Sequence, residues 1–120
     1  MRLYLSGAIS KQPDFKEYFK TYEDELRRRG FNDIFNPASI DCILGKDTRS
    51  LWSAYMRYDI EQLMRCDVLV FLPNWRKSKG AKIEINLCKK IGIPVVKFED
   101  AVKKMDACKR HPLEAWHARW

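Results

Sequence analysis

The sequence lacks any long apolar run. No segment approaches the roughly 18 consecutive apolar residues of a membrane-spanning helix, and the first residues, from Met1 to Gly7, do not contain the hydrophobic region of a secretory signal peptide. We therefore expect a soluble, cytoplasmic protein that does not bind membranes.

Residues that bind metal ions are also few. The chain has 2 histidines, and its 4 cysteines are widely separated, with no C-x-x-C pair. A zinc site needs such ligands at close spacing, so we expect neither a metal nor a cofactor. Cys66 and Cys88 fall beside or within apolar segments, and we expect both to be reduced thiols in the core.

Acidic residues are fewer than basic ones. Lys and Arg number 23 and Asp and Glu 16, which gives a formal net charge of +7. This excess favours anionic ligands, either nucleic acid or small phosphorylated molecules. The basic residues are spread over several predicted helices and no nucleic-acid-binding motif is present, so a nucleic acid is the less expected of the two.

Short apolar runs alternate with amphipathic segments along the chain. Strands are predicted at 2–6, 31–35, 67–72 and 93–98, and helices are predicted from Asp14, a candidate N-cap, to Gly30 and over 50–65, 79–91 and 99–109. This order predicts an α/β fold, a single-domain three-layer sandwich with a parallel, flavodoxin-like or Rossmann-like sheet of four to five strands.

Two segments stand outside this alternation. Residues 38–49 show no periodicity and are predicted to form a mobile loop over the site. The tail, residues 109–120, contains Trp116 and Trp120, which are costly to expose, so we expect it to pack on its own chain or on a neighbouring subunit. The domain is therefore predicted to span residues 1–108.

The strand at 67–72 is the best candidate for positioning a functional site. It ends before Asn74 and Trp75, and Ser78-Lys79-Gly80 then opens a helix. Ligands of parallel sheets bind beyond the carboxyl ends of the strands, and a helix N-terminus favours an anion. Asn74 and Trp75 are therefore predicted substrate contacts, Trp75 by stacking on an aromatic ring. A core or subunit-interface position is the alternative for Trp75.

Two carboxylates fall on helix faces that are otherwise apolar. Asp59 lies within a stripe of Trp52, Tyr55, Met56, Ile60 and Leu63, and Glu84 lies within an arc of Gly80, Ala81, Ile83, Leu87, Cys88 and Ile91. A buried carboxylate must be paired, protonated or line a cavity. Either each acid binds a nearby Arg or Lys, or the two work as a pair. Two carboxyl groups in different environments are what glycosidic-bond cleavage needs.

Three pieces of sequence together resemble the nucleoside 2-deoxyribosyltransferase superfamily. They are Tyr4-Leu-Ser-Gly7 after the first strand, Asp59 eight residues before Asp67, and Ser78-x-Gly80-x-x-x-Glu84. The resemblance covers roughly residues 2–98. It is greatest to the nucleoside 5'-monophosphate N-glycosidases and to small phage and bacterial relatives of unassigned function.

The resemblance implies a role for each matched residue. Glu84 would be the nucleophile at the anomeric carbon, Asp59 the acid that protonates the departing base, and Tyr4 the residue that orients the nucleophile. Ser78, in the motif that includes Gly80, would bind a 5'-phosphate, and Gly7 would lie in the loop beneath the nucleotide.

We therefore expect an enzyme that cleaves the N-glycosidic bond of a nucleoside or nucleoside 5'-monophosphate, as a hydrolase or a 2-deoxyribosyltransferase. The alternatives are a non-catalytic nucleotide-binding or sensing module and, third, a nucleic-acid-binding protein. Relatives in this family complete their pockets across a subunit interface. We therefore expect a homodimer or higher homo-oligomer, with Tyr55 or Trp52 near the two-fold contact.

Overall fold

The computed structural model of the protein describes residues 1–39 and 51–103. Within these ranges the strands are β1 (Arg2–Ser6), β2 (Asp33–Phe35), β3 (Val68–Phe71) and β4 (Val95–Lys97). The helices are α1 (Phe15–Arg28), α2 (Leu51–Leu63), α3 (Lys79–Ile91) and α4 (Phe98–Lys103). Short 3₁₀ turns follow β2 and β3, at Pro37–Ser39 and Trp75–Lys77.

The four strands form one parallel sheet in the order β2-β1-β3-β4. β1 is an inner strand, and its Tyr4 lies beside Phe35 of β2 and Leu69 of β3. From β1 the chain first builds one half of the sheet and then crosses to build the other. Crevices that bind ligands form at such a switch point, outside the carboxyl ends of the strands. Here that place is beyond Ser6 and Phe71.

Alternation along the inner strands separates two hydrophobic clusters, one on each face of the sheet. The first joins β1 and β3 to α1 and α4 through Leu3, Leu5, Phe19, Leu26, Val68, Val70 and Ala101. The second joins the opposite face to α2 and α3 through Tyr4, Leu63, Leu69, Ile85 and Cys88. The predicted three-layer α/β sandwich is therefore confirmed, with four strands in the described part of the chain.

The ends of α1 show why some predicted bounds were wrong. Gly30 takes a left-handed φ of 104°, and the Phe31 N–H donates to the Leu26 carbonyl, so residue 31 closes the helix and β2 begins later, at Asp33. Asp14 takes the predicted N-cap position, but its side chain makes no capping hydrogen bond.

The arc predicted to face the sheet on α3 was partly wrong. Ile83 and Ile91 are exposed, whereas Ile85, which was not assigned to the arc, is buried beside Glu84. The buried residues of α3 are Ala81, Glu84, Ile85 and Cys88, so its buried face is centred on Glu84 and Ile85.

Some predictions lie outside the described residues: the loop from residue 40 onward, the domain end at residue 108 and the tail at 109–120. In the two described ranges no helix is both long and apolar enough to cross a membrane. Cys66 and Cys88 are buried and carry free thiols.

Candidate active site

A pocket of about 90 Å³ opens at the carboxyl ends of β1 and β3, between α2 and α3. Residues from four separate parts of the chain line it: Gly7, Ile9, Ser10, Pro37, Trp52, Tyr55, Met56, Asp59, Ser78, Gly80, Ala81 and Glu84. The two carboxylates that the sequence placed on apolar faces thus share one pocket. They are both buried, with exposed fractions of 6% for Asp59 and 5% for Glu84.

Glu84 is held by two hydroxyl groups of β1. The Tyr4 hydroxyl donates to Oε2 of Glu84, and the Ser6 hydroxyl donates to Oε1 at 2.9 Å. Tyr4 and Ser6 are two residues apart on a strand, so their side chains project from the same face. Each carboxylate oxygen keeps a second lone pair for other contacts. Among the described residues, two uncharged hydroxyl groups therefore fix the carboxylate in position.

Asp59 has a different environment. In the described ranges its Oδ1 is buried without a hydrogen-bond partner. Burial raises the pKa of Asp59 from 3.8 to about 8, and the nearby charge of Glu84 adds to the increase. A carboxyl group with these surroundings holds its proton at neutral pH.

The hydrogen bonds to Glu84 make it the more readily ionised member of the pair. Burial also raises the pKa of Glu84, from 4.5 to about 7, but the hydrogen bonds from Tyr4 and Ser6 oppose that increase. Burial and the neighbouring Glu84 raise the pKa of Tyr4 well above its ordinary value, so the phenol remains a donor. The first proton to leave belongs mainly to Glu84, because hydroxyl donors stabilise its ionised form.

Ser78 occupies the N-cap of α3. Its Oγ accepts the Ala81 N–H at 3.0 Å and lines the pocket, so its own hydroxyl proton can be donated to a ligand. A Cβ added to Gly80 would lie 3.0 Å from the Met56 sulfur. Glycine at this position therefore lets the first turn of α3 approach α2.

Gly7 and Asn74 shape the loop that follows β1. Asn74 Oδ1 accepts the Ala8 N–H at 3.0 Å, and Nδ2 donates to the Ala8 carbonyl at 3.5 Å. A Cβ on Gly7 would lie 2.9 Å from that Oδ1. Glycine at position 7 thus makes room for the amide that holds the loop in place.

The two tryptophans near the site face different surroundings. Trp75 lies against Phe71, with ring centroids 5.6 Å apart, and Arg76 lies 5.4 Å from its ring. Trp52 lines the pocket, and the Lys79 ammonium lies 5.0 Å from its ring centroid.

The structure brings most of the predicted site residues together. Gly7, Asp59, Ser78, Gly80 and Glu84 line the pocket, and Tyr4 joins them through its hydrogen bond to Glu84. Asn74 and Trp75 are not among the described residues that line it. Their predicted contacts with a substrate stay predictions.

Sequence reasoning missed Ser6 as a partner of Glu84. The signal was present, because Ser6 follows Tyr4 by two residues on a strand and so shares its face. The contributions of Ile9, Ser10 and Pro37 to the pocket had no signal, because they depend on how the loops after β1 and β2 meet. Among the described residues, no group of three or more His, Cys, Asp or Glu side chains could hold a metal ion.

Comparisons with known proteins add a family but no activity. A family model described as "Domain of unknown function (DUF4406)" matches residues 1–97. This range contains every described residue of the pocket. No curated protein matches the chain.

Proposed function

We propose that this chain, which belongs to the DUF4406 family, cleaves the N-glycosidic bond of a nucleoside or nucleoside 5'-monophosphate through a covalent glycosyl intermediate. The observation that carries the proposal is the unequal environment of two carboxyl groups in one pocket. Glu84 accepts two hydroxyl hydrogen bonds, whereas Asp59 Oδ1 has no partner in the described chain. This asymmetry supports an ionised nucleophile beside a protonated acid.

In the first step a carboxylate oxygen of Glu84 attacks the anomeric carbon of the sugar. The bond from that carbon to the base nitrogen breaks, and its electron pair leaves with the base. Asp59 transfers its proton to the base, so the base departs neutral. The products are a glycosyl ester on Glu84 and an ionised Asp59.

In the second step the Asp59 carboxylate takes a proton from a water molecule. The water oxygen attacks the anomeric carbon and displaces the Glu84 carboxylate, which releases the free sugar and restores both groups. Two displacements at one carbon retain its configuration. A second base in place of water would give base exchange, the transferase form of the same reaction.

The start of α3 is the part of the pocket suited to a 5'-phosphate. Ser78 has a hydroxyl proton to donate beside a helix N-terminus, where unpaired N–H groups favour an anion. Lys79 is exposed at the first position of the helix and adds positive charge there. These groups support a monophosphate as the ligand.

A second subunit would complete this site. The described residues enclose about 90 Å³, whereas pockets for small ligands usually hold about 300–1,000 Å³. They therefore surround only the innermost part of a nucleotide, which supports a homodimer or larger oligomer whose neighbouring subunit borders the pocket. Light scattering should give a mass of at least twice 14.3 kDa, and a monomer mass at micromolar concentration would contradict it.

The buried free thiols fit the reducing cytoplasm, where we place the reaction.

The activity is tested with a panel of nucleosides and nucleoside 5'-monophosphates, from which released base is separated by chromatography. The wild type should release base from at least one of them. Glu84→Gln should release none, and mass spectrometry of acid-quenched wild type should find a glycosyl adduct on the peptide that contains Glu84.

The matched control is Glu61→Gln, which removes an exposed carboxylate from α2 that pairs with Arg65 at 3.1 Å. It should keep full activity, since it lies outside the pocket. An active Glu84→Gln variant would refute the nucleophile. Binding without release of base across the whole panel would instead favour the nucleotide-sensing module.

A further inference from the structure

Trp52 stands at the mouth of the pocket with an unusual combination of properties. It is a large aromatic side chain with an exposed fraction of 42%, and yet it lines the pocket that contains Asp59 and Glu84. We propose that Trp52 is the residue on which the base of the substrate stacks, and that Lys79 is a positioning residue that holds its indole. The inference rests on the proposed function, because it needs a base in this pocket.

The placement of Trp52 on α2 leads to this assignment. Trp52, Met56 and Asp59 are four and three residues apart, so they lie on one face of the helix. At about 1.5 Å per residue, Trp52 lies about 10 Å along the axis from Asp59. The base must lie within hydrogen-bond reach of Asp59 to receive its proton. Its ring therefore extends along this face, past Met56 and towards Trp52.

Lys79 fixes one side of the indole. Its ammonium lies 5.0 Å from the ring centroid of Trp52, but Lys79 is not among the described residues that line the pocket. The proposal places the base on the ring surface opposite the one that the ammonium covers. A base can approach the free surface while the cation restrains the indole from the other side.

The same contact joins the two helices that carry the carboxyl groups. Trp52 is on α2 with Asp59, and Lys79 is on α3 with Glu84. Trp75 is not among the described residues that line the pocket, and its ring packs on Phe71. Trp52 therefore fits the stacking role that the sequence suggested for Trp75.

The test measures binding, without turnover, in an Asp59→Asn background. The probes are adenosine, guanosine, cytidine and thymidine, with ribose 5-phosphate as a probe that has no base, and the method is calorimetric titration. Trp52→Leu should weaken binding of the nucleosides by about 5- to 150-fold. It should leave the affinity for ribose 5-phosphate within twofold, and Trp52→Phe should retain most of the nucleoside affinity.

Two further variants test the specific roles. Lys79→Met should weaken nucleoside binding by about 2- to 5-fold, and Lys79→Arg should restore it, since both Lys and Arg make cation–π contacts. Trp75→Leu is the matched comparison for Trp52→Leu and should leave the affinity for nucleosides within twofold.

Several results would overturn the proposal. They are an unchanged nucleoside affinity in Trp52→Leu, an equal loss for ribose 5-phosphate, a loss in Trp75→Leu alone, or no nucleoside binding to the parent protein. The catalytic proposal fails separately. If wild type releases base while Trp52→Leu binds normally, only the stacking role is lost; if Trp52 governs binding but no base is released, only the chemistry is lost.

Discussion

Replacing Asp59 with Asn should change how the stability of the protein depends on pH. The folded protein holds a proton on Asp59 up to a pKa of about 8, whereas the unfolded chain releases it near 3.8. Between these values the folded state binds more protons than the unfolded state, so the free energy of unfolding falls as pH rises. The stability that protonated Asp59 contributes is complete below about pH 4 and lost by about pH 8. The side-chain amide of the Asp59→Asn variant does not titrate, so the substitution removes this dependence.

The size of the effect follows from the same two pKa values. Their difference is about four units, and each unit corresponds to about 1.4 kcal/mol, so the upper limit is about 6 kcal/mol. Local opening that admits water lowers this figure, and we expect a change of at least about 2 kcal/mol. That is a large part of the 5–15 kcal/mol by which domains are usually stable.

The assay is urea unfolding of wild type and Asp59→Asn, followed by circular dichroism at one-unit steps from pH 4 to pH 8. The measured quantity is how the difference in free energy of unfolding between the two proteins changes with pH. A pH-independent effect of the Asn amide on stability therefore does not alter the result. The free energy of unfolding of Asp59→Asn, taken relative to that of wild type, should increase steadily as pH rises. Glu61→Gln should stay parallel to wild type, because Glu61 is an exposed residue of the same helix.

A stability difference that stays constant within about 0.5 kcal/mol over this range would refute the reasoning. It would mean that Asp59 is ionised in the folded protein, and that a cation outside the described residues compensates its charge. Asp59 could not then supply the proton to the departing base.

Three further changes test how the site is positioned. Tyr4→Phe removes a hydrogen-bond donor from Glu84. The rising limb of the pH–rate profile should shift to higher pH by about one to two units, since a hydrogen bond to a charged group contributes about 1.5–3 kcal/mol. A limb at the wild-type pH would contradict the hydrogen bond between Tyr4 and Glu84. Ser6→Ala should move the same limb in the same direction, and the double variant should move it further than either single change. Gly7→Ala places a Cβ 2.9 Å from Asn74 Oδ1 and should lower the free energy of unfolding by about 1–3 kcal/mol in urea titrations; a variant as stable as wild type would show that the loop is not fixed.

Periodicity in the sequence was enough to predict the fold and both carboxyl groups. Alternating strands and helices predicted the parallel sheet, and the helical spacing of apolar residues placed Asp59 and Glu84 on buried faces. These patterns are local, because the residues that define each of them are close together in the sequence. Burial by neighbouring layers then follows from the fold itself.

The orientation of side chains around the site depended on contacts that are distant in sequence. Glu84 bonds to Tyr4, which is 80 residues away, and the helix face that carries this bond buries Ile85 and leaves Ile83 exposed. The 3₁₀ turn after β3 similarly places the Trp75 ring on Phe71. Apolar spacing alone cannot predict such rotations, since the face of a helix that is buried also depends on its polar partners.

The two carboxyl groups differ in how firmly the fold holds them, and the proposed reaction uses that difference. Glu84 is fixed by hydroxyls of an inner strand, where Tyr4 and Ser6 are fully buried. A nucleophile benefits from this, because attack requires a set distance and direction. Asp59 must instead give up a proton and take one back within each cycle. A strong hydrogen-bond partner would stabilise one of its two states and oppose the other, so an acid whose Oδ1 has no partner among the described residues suits both steps.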